Sequence, residues 1–213
     1  MIFKKYSTSD FPSDHAFLAP SSPSWLNWDE ETLMERWKSL KAKESGTKLH
    51  AMAERMINLG QRFSKSKVAE RQLVNYILGK DADYISDITL DTIRSYVNDA
   101  EDYGMTPEVK LKFSKYAFGT TDAISFEKER GHEILRIHDL KTGVTPAHIE
   151  QTFIYAALFC YDYDIRPGDI EIETRLYQNG EVLIDKPSAE DIGPILDKMR
   201  IFSNIIGDIN EGR

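Results

Sequence analysis

The run Ile134-Leu135-Arg136-Ile137-His138-Asp139-Leu140-Lys141-Thr142-Gly143 alternates in hydrophobicity and then meets a glycine. Successive side chains on a strand point to opposite faces, so Asp139 and Lys141, two positions apart, share one face. A carboxylate beside an ammonium suits hydrolysis of a phosphodiester. The acid can hold a divalent cation, while the lysine orients a water and offsets the charge developing on phosphorus. Asp-x-Lys at a strand end is also ordinary surface chemistry, so its weight depends on what surrounds it.

A second strand-like run, Gly119-Thr120-Thr121-Asp122-Ala123-Ile124-Ser125-Phe126, lies upstream. The segment between, Glu127-Lys128-Glu129-Arg130-Gly131, is polar and turn-like. A hairpin of the two runs would bring Asp122 to Asp139 and place two carboxylates and a lysine on one face. Taken alone, Asp122 could equally cap a turn. Downstream, Gln151 and Tyr155 are spaced i, i+4 and share a helix face, beside a core stripe of Phe153, Ile154, Ala157, Leu158 and Phe159. Upstream, His50 and Glu54 have the same spacing. Glu108, in Pro107-Glu108-Val109-Lys110-Leu111-Lys112-Phe113, alternates with two lysines as a solvent-facing edge strand would.

Gly119-Thr120-Thr121-Asp122, then Asp139-Leu140-Lys141-Thr142-Gly143, then a helix carrying Gln151 and Tyr155, preceded by Gly46-Thr47-Lys48-Leu49-His50, resembles the PD-(D/E)XK nuclease superfamily in its RecB-like and phage-exonuclease (lambda-type) branch. The resemblance spans residues 45–185. It implies a restriction-endonuclease-like core in which His50, Asp122, Asp139 and the Leu140 carbonyl are metal ligands. Lys141 would be catalytic, with Gln151 and Tyr155 lining the site. The implied cofactor is Mg²⁺ or Mn²⁺, an imidazole ligand suiting the latter. The implied activity is metal-dependent cleavage of DNA, with an exonuclease acting on DNA ends in recombination or repair as the expected form. A structure-specific or nicking endonuclease, or a catalytically weak DNA-binding assembly subunit, is the alternative. Phage members of this type suggest a homo-oligomeric ring or a recombination partner protein. A metal-binding protein unconnected with nucleic acid is a third class.

The charge distribution bears on that expectation. The net charge is −8 and the pI near 5.2, unfavourable for binding phosphates on average. From Arg36 to Arg71, however, ten basic residues face three acidic ones around His50, while residues 72–104 carry the reverse excess. Lys41, Lys43, Lys48, Arg55 and Arg62 are therefore the candidate DNA contacts, a solvated charged face being the plainer alternative. The single Cys160 excludes an intrachain disulfide framework and a four-cysteine iron–sulfur cluster. No basic and apolar leader and no run of eighteen apolar residues is present, so neither export nor membrane spanning is expected. The expected location is the cytoplasm, that of the host if the chain is viral.

The elements needed to position these residues can be read coarsely. Residues 1–22, rich in Ser, Pro and Asp, read as an irregular leader, with Trp25 and Trp28 opening the packed region. Residues 23–104 read as a helical part, with helices over 28–43, 47–60, 66–79 and 89–103. Residues 105–213 read as a mixed-sheet core: strands over 108–117, 120–127 and 133–140, a helix over 146–162, strands over 169–177 and 181–185, and a closing helix over 188–209. Asn179-Gly180 marks a hairpin turn. The fold class expected is α/β (α+β), a single domain with a central mixed sheet flanked by helices.

Overall fold

The computed structural model describes residues 16–64, 66–129, 131–143 and 145–211, with the backbone alone at Asp81 and Tyr84. Much of the expected leader therefore lies outside the described residues. Two compact units divide the chain, Met1–Leu40 and Lys41–Arg213. In the first, a 3₁₀ turn over Pro23–Asn27 precedes helix α1 (Glu30–Asn58), which continues into the second unit. Aromatic packing organises this stretch. The Phe17 ring lies 5.7 Å from Trp28 and 5.1 Å from Trp37, and Trp25 Nε1 donates to the Ala19 carbonyl.

The second unit contains α2 (Lys67–Leu78), α3 (Asp87–Asp102), β1 (Thr106–Ser114), β2 (Ala117–Glu129), β3 (His132–Lys141), α4 (Glu150–Asp162), β4 (Glu171–Gln178), β5 (Glu181–Asp185) and α5 (Ala189–Glu211). The expected mixed sheet is present, with order β1-β2-β3-β4-β5. Only β3 and β4 run parallel, joined by the crossover helix α4; the other pairs are antiparallel. Serine N-caps start two of the helices: Ser66 Oγ accepts from Ala69 N, and Ser86 Oγ from Thr89 N. Asn179 (φ 53°) and Gly180 (φ 77°) form the expected turn, with the left-handed pair that a two-residue hairpin between β4 and β5 demands.

The sheet is covered on both faces, and alternation along β3 assigns its residues. Leu135 and Ile137 pack with Ala156, Ala157 and Phe159 of α4 and Ile192 of α5. Leu140 packs with Tyr177, with Leu49, Met52 and Met56 of α1, and with Ile93, Tyr96 and Val97 of α3. Each fully buried Leu or Ile here contributes about 1.5–3 kcal/mol.

Two sequence expectations are corrected. The helices expected over 28–43 and 47–60 are one helix, α1, unbroken through Ser45 and Gly46. Glycine there serves close approach and does not stop the helix: a Cβ on Gly46 would sit 2.7 Å from Thr142 Oγ1. The polar segment 127–131 is mostly strand. Glu127, Lys128 and Glu129 pair with Ile134, Glu133 and His132, and Gly131 turns the chain at φ 92°. Such a ribbon extends beyond the covered part of the sheet, so its strands carry charge without the alternation that marks a half-buried strand.

Candidate metal centre

The β2–β3 register sets the site. Its last pair is Ala123↔His138, and one step further Asp122 lies opposite Asp139. There the backbone ladder ends, and the Asp122 side chain replaces it: Oδ2 accepts the Leu140 amide at 2.7 Å. On β1, Glu108 falls between the pairs Pro107↔Ala123 and Val109↔Thr121, opposite Asp122, so three acids lie in one row across three strands. Glu108 adopts φ 53°, a left-handed conformation uncommon for a residue with a side chain. The expected alternation of Glu108, Lys110 and Lys112 on an exposed edge strand is present, and Glu108 departs from it only in its backbone.

The expected partners meet around this row. Lys141 Nζ donates to Asp139 Oδ1 at 3.0 Å and to Gln151 Oε1 at 2.9 Å. Gln151 Nε2 in turn reaches the Tyr155 hydroxyl at 3.4 Å. Tyr155 packs against Gly119, where a Cβ would come within 2.9 Å of its ring, so the glycine of the Gly-Thr-Thr-Asp run makes room for the aromatic. His50 Nδ1 stands 3.7 Å from Asp122 Oδ1, close but beyond a hydrogen bond. Gly46, one turn before His50, is where α1 meets Thr142 next to Lys141.

Electrostatically the cluster is short of positive charge. Burial pushes the Asp139 carboxyl up to about 6, Asp122 adding to the shift and Lys141 opposing it. Asp122 is raised mainly by burial, against the Leu140 hydrogen bond and Lys141. Glu108 is raised by burial, then by Asp122 and Glu54, which brings Glu54 into the same field. Burial lowers His50, so its imidazole tends to the neutral, ligating form. Asp139 is 2% exposed, and its Oδ2 is buried without a directed hydrogen bond although Lys141 Nζ lies 2.8 Å away.

These features fit a hard divalent cation: oxygen donors, a neutral imidazole, a buried carboxylate oxygen met only by the Lys141 charge, and mutually repelling acids. Among the described residues no three His, Cys, Asp or Glu groups already stand in a metal-holding arrangement. Leu140 contributes a buried side chain and an amide bound to Asp122, which sets its backbone between the two acids.

The whole of this grouping lies within residues 15–166, which match a single family. The chain belongs to DUF2800, a family described as a protein of unknown function. No curated protein matches it. In this DUF2800 chain the basic candidates divide by position. Lys43 lies on the same stripe of α1 as His50 and Glu54, at i, i+7 and i+11, whereas Lys48 and Arg55 project from a different stripe. Lys41 pairs with Glu44 at 2.7 Å, and Arg62 makes a bidentate pair with Asp102 at 2.6 and 2.7 Å.

Sequence reasoning missed Gln178, whose side chain ties down the loop between β3 and α4, and Tyr96, a buried α3 residue in the field of Asp122, Glu108 and Asp139. Neither belongs to a short motif. The only signal for Gln178 is its place immediately before the Asn179-Gly180 turn. No helix among the described residues is long and apolar enough to cross a membrane.

Proposed function

We propose that this chain is a metal-dependent deoxyribonuclease of the PD-(D/E)XK type that hydrolyses DNA phosphodiesters, an exonuclease acting on DNA ends being the preferred form. The observation that carries the reading is the convergence of Asp122, Asp139 and Lys141 with Gln151, from two strands and a helix, around a buried carboxylate oxygen that lacks a directed donor. Asp122, Asp139 and His50 would hold Mg²⁺ or Mn²⁺, with the Leu140 carbonyl between the acids. A bound divalent cation supplies Lewis acidity at the phosphate and a more acidic water.

The chain's own groups do the positioning. Lys141, fixed by Asp139 and Gln151, presents an ammonium beside the acids, where it can donate to a water and offset negative charge developing on a phosphate oxygen. Gln151 gives the ammonium a second acceptor beside the Asp139 carboxylate and so fixes its direction. Tyr155, held by Gln151 and packed on Gly119, walls one side of the site. Lys43, on the His50 stripe of α1, is the best placed of the basic candidates to follow a strand leaving the site.

Incubation with end-labelled linear and covalently closed circular DNA, with Mg²⁺ or Mn²⁺ and with chelator, tests this directly. Shortening of linear DNA alone supports an exonuclease. Nicking of circles replaces it with an endonuclease, and binding of DNA with no cleavage under any metal replaces both with an assembly subunit.

A further inference from the structure

Lys141 ends β3 and Gln151 lies in the first turn of α4, so their 2.9 Å contact depends on the loop between them. That loop is held from two sides. On one, α1 approaches through Gly46 so closely that a Cβ would collide with Thr142 Oγ1. On the other stands Gln178, the β4 residue that pairs with Lys141 in the parallel register. Gln178 Nε2 donates to the Gly143 carbonyl at 2.8 Å and the Thr145 carbonyl at 2.7 Å, while its Oε1 accepts the Ala147 amide at 3.0 Å. A primary amide offers two N–H donors and a carbonyl acceptor. Here both donors and the acceptor are spent on one short stretch of backbone.

We propose that Gln178 is a positioning residue for the reaction, acting through the loop to set the span between Lys141 and Gln151. This rests on the nuclease reading, which it deepens. Glutamine meets the demand because two carbonyls need donors and one amide needs an acceptor. Glutamate has nearly the same shape but would set carboxylate oxygens against both carbonyls. Asparagine is one methylene too short to span the same three groups. With the clamp gone, the loop can let the start of α4 shift, so that Lys141 stays on both oxygens of Asp139 and loses Gln151.

The test uses the full chain. Gln178→Ala is expected to lower kcat on labelled linear DNA with Mn²⁺ by about 10- to 100-fold, as a displacement near 1 Å does, with KM for DNA unchanged. Gln178→Glu should restore little of that loss, although it keeps the shape and the Ala147 bond. The Ala147 amide should exchange faster in Gln178→Ala than in the wild type, and a crystal structure of that variant should show the Lys141–Gln151 contact lengthened. Wild-type kcat in Gln178→Ala, a loss confined to KM, or full rescue by Gln178→Glu would overturn the proposal. If Gln178→Ala fails to fold, Gln178→Glu is judged by the same kcat and crystallographic criteria. If the wild type cleaves no DNA, the nuclease reading fails by itself, and the positioning role then stands or falls on whether the Lys141–Gln151 contact moves in the variant.

Discussion

His138 and Asp139 are adjacent on β3, point to opposite faces of the sheet, and sit in two polar clusters of opposite character. On the His138 side the charges are matched. Arg175 donates to Asp99, Tyr103 and Glu173, the Tyr177 hydroxyl donates to Asp99 and accepts from His138 Nδ1, and the Tyr103 ring lies 4.5 Å from the Arg136 guanidinium and 4.7 Å from that of Arg175. On the Asp139 side Asp122 and Asp139 share Lys141, Glu108 adds to the same negative field through Asp122, and burial keeps the histidine toward its neutral form. The first arrangement is what a structural network needs, and the second is what a cation-binding site needs. Burial is common to both, so what separates them is the balance of charge within reach.

Four sets of substitutions can break or sharpen that contrast. The largest effect is expected on the Asp139 side: Lys141→Ala, Asp122→Ala and Asp139→Ala should each reduce DNA cleavage by ~10³-fold or more, the scale for a group that handles charge at the reacting centre. Circular dichroism melts should show all three still folded. Arg175→Ala should do the reverse. Removing one partner from this partly buried charge network costs about 1–3 kcal/mol, to be read from urea unfolding, while the folded protein keeps its turnover. If Arg175→Ala is as stable as the wild type, the network is not what fastens α3 to the sheet.

A third and smaller effect is on pH dependence, and the two neighbours differ in sign. Asp139 titrates near 6 when folded, above the ordinary aspartate value of about 4, so the stability tied to its neutral form is present below about pH 4 and lost as pH rises through 6. His138, pushed down by burial to about 3, contributes stability that is complete above about pH 6.5 and lost as pH falls toward 3. Without divalent cations, Asp139→Asn should therefore raise Tm at pH 7 and hardly change it at pH 4, whereas His138→Asn should flatten the acid-side decline. A lower Tm for Asp139→Asn at pH 7 would mean that Lys141 already satisfies the carboxylate.

The smallest effect concerns the DNA track. Lys43→Ala should weaken DNA binding and reduce the slope of log K against log salt by about 1, the yield of one phosphate contact. Arg62→Ala should leave both unchanged, its guanidinium being committed to Asp102.

The acid–lysine grouping was legible because it is local: alternation puts Asp139 and Lys141 on one face, and a hairpin register carries Asp122 to them. The mixed sheet was legible for the same reason, through strand-length apolar runs and the Asn179-Gly180 turn. What could not be read depends on contacts across the fold. Gly46 looks like a helix break until Thr142 is seen against it, and Glu108 is the edge-strand residue its alternation describes, with only its left-handed backbone opposite Asp122 unread. Gln178 carries no motif because three backbone groups on another segment give it its task. The charge run from Arg36 to Arg71 was legible in number only: position around α1 and pairing with Asp102 separate Lys43 from Arg62.

The most direct measurement compares wild type and Lys141→Ala on end-labelled linear DNA with Mn²⁺, each with a chelator control. Cleavage by the wild type that chelator abolishes, and that falls at least ~10³-fold in a folded Lys141→Ala protein, is the expected result. Undiminished cleavage by Lys141→Ala, or cleavage that survives the chelator, would contradict a metal-dependent site built from Asp122, Asp139 and Lys141.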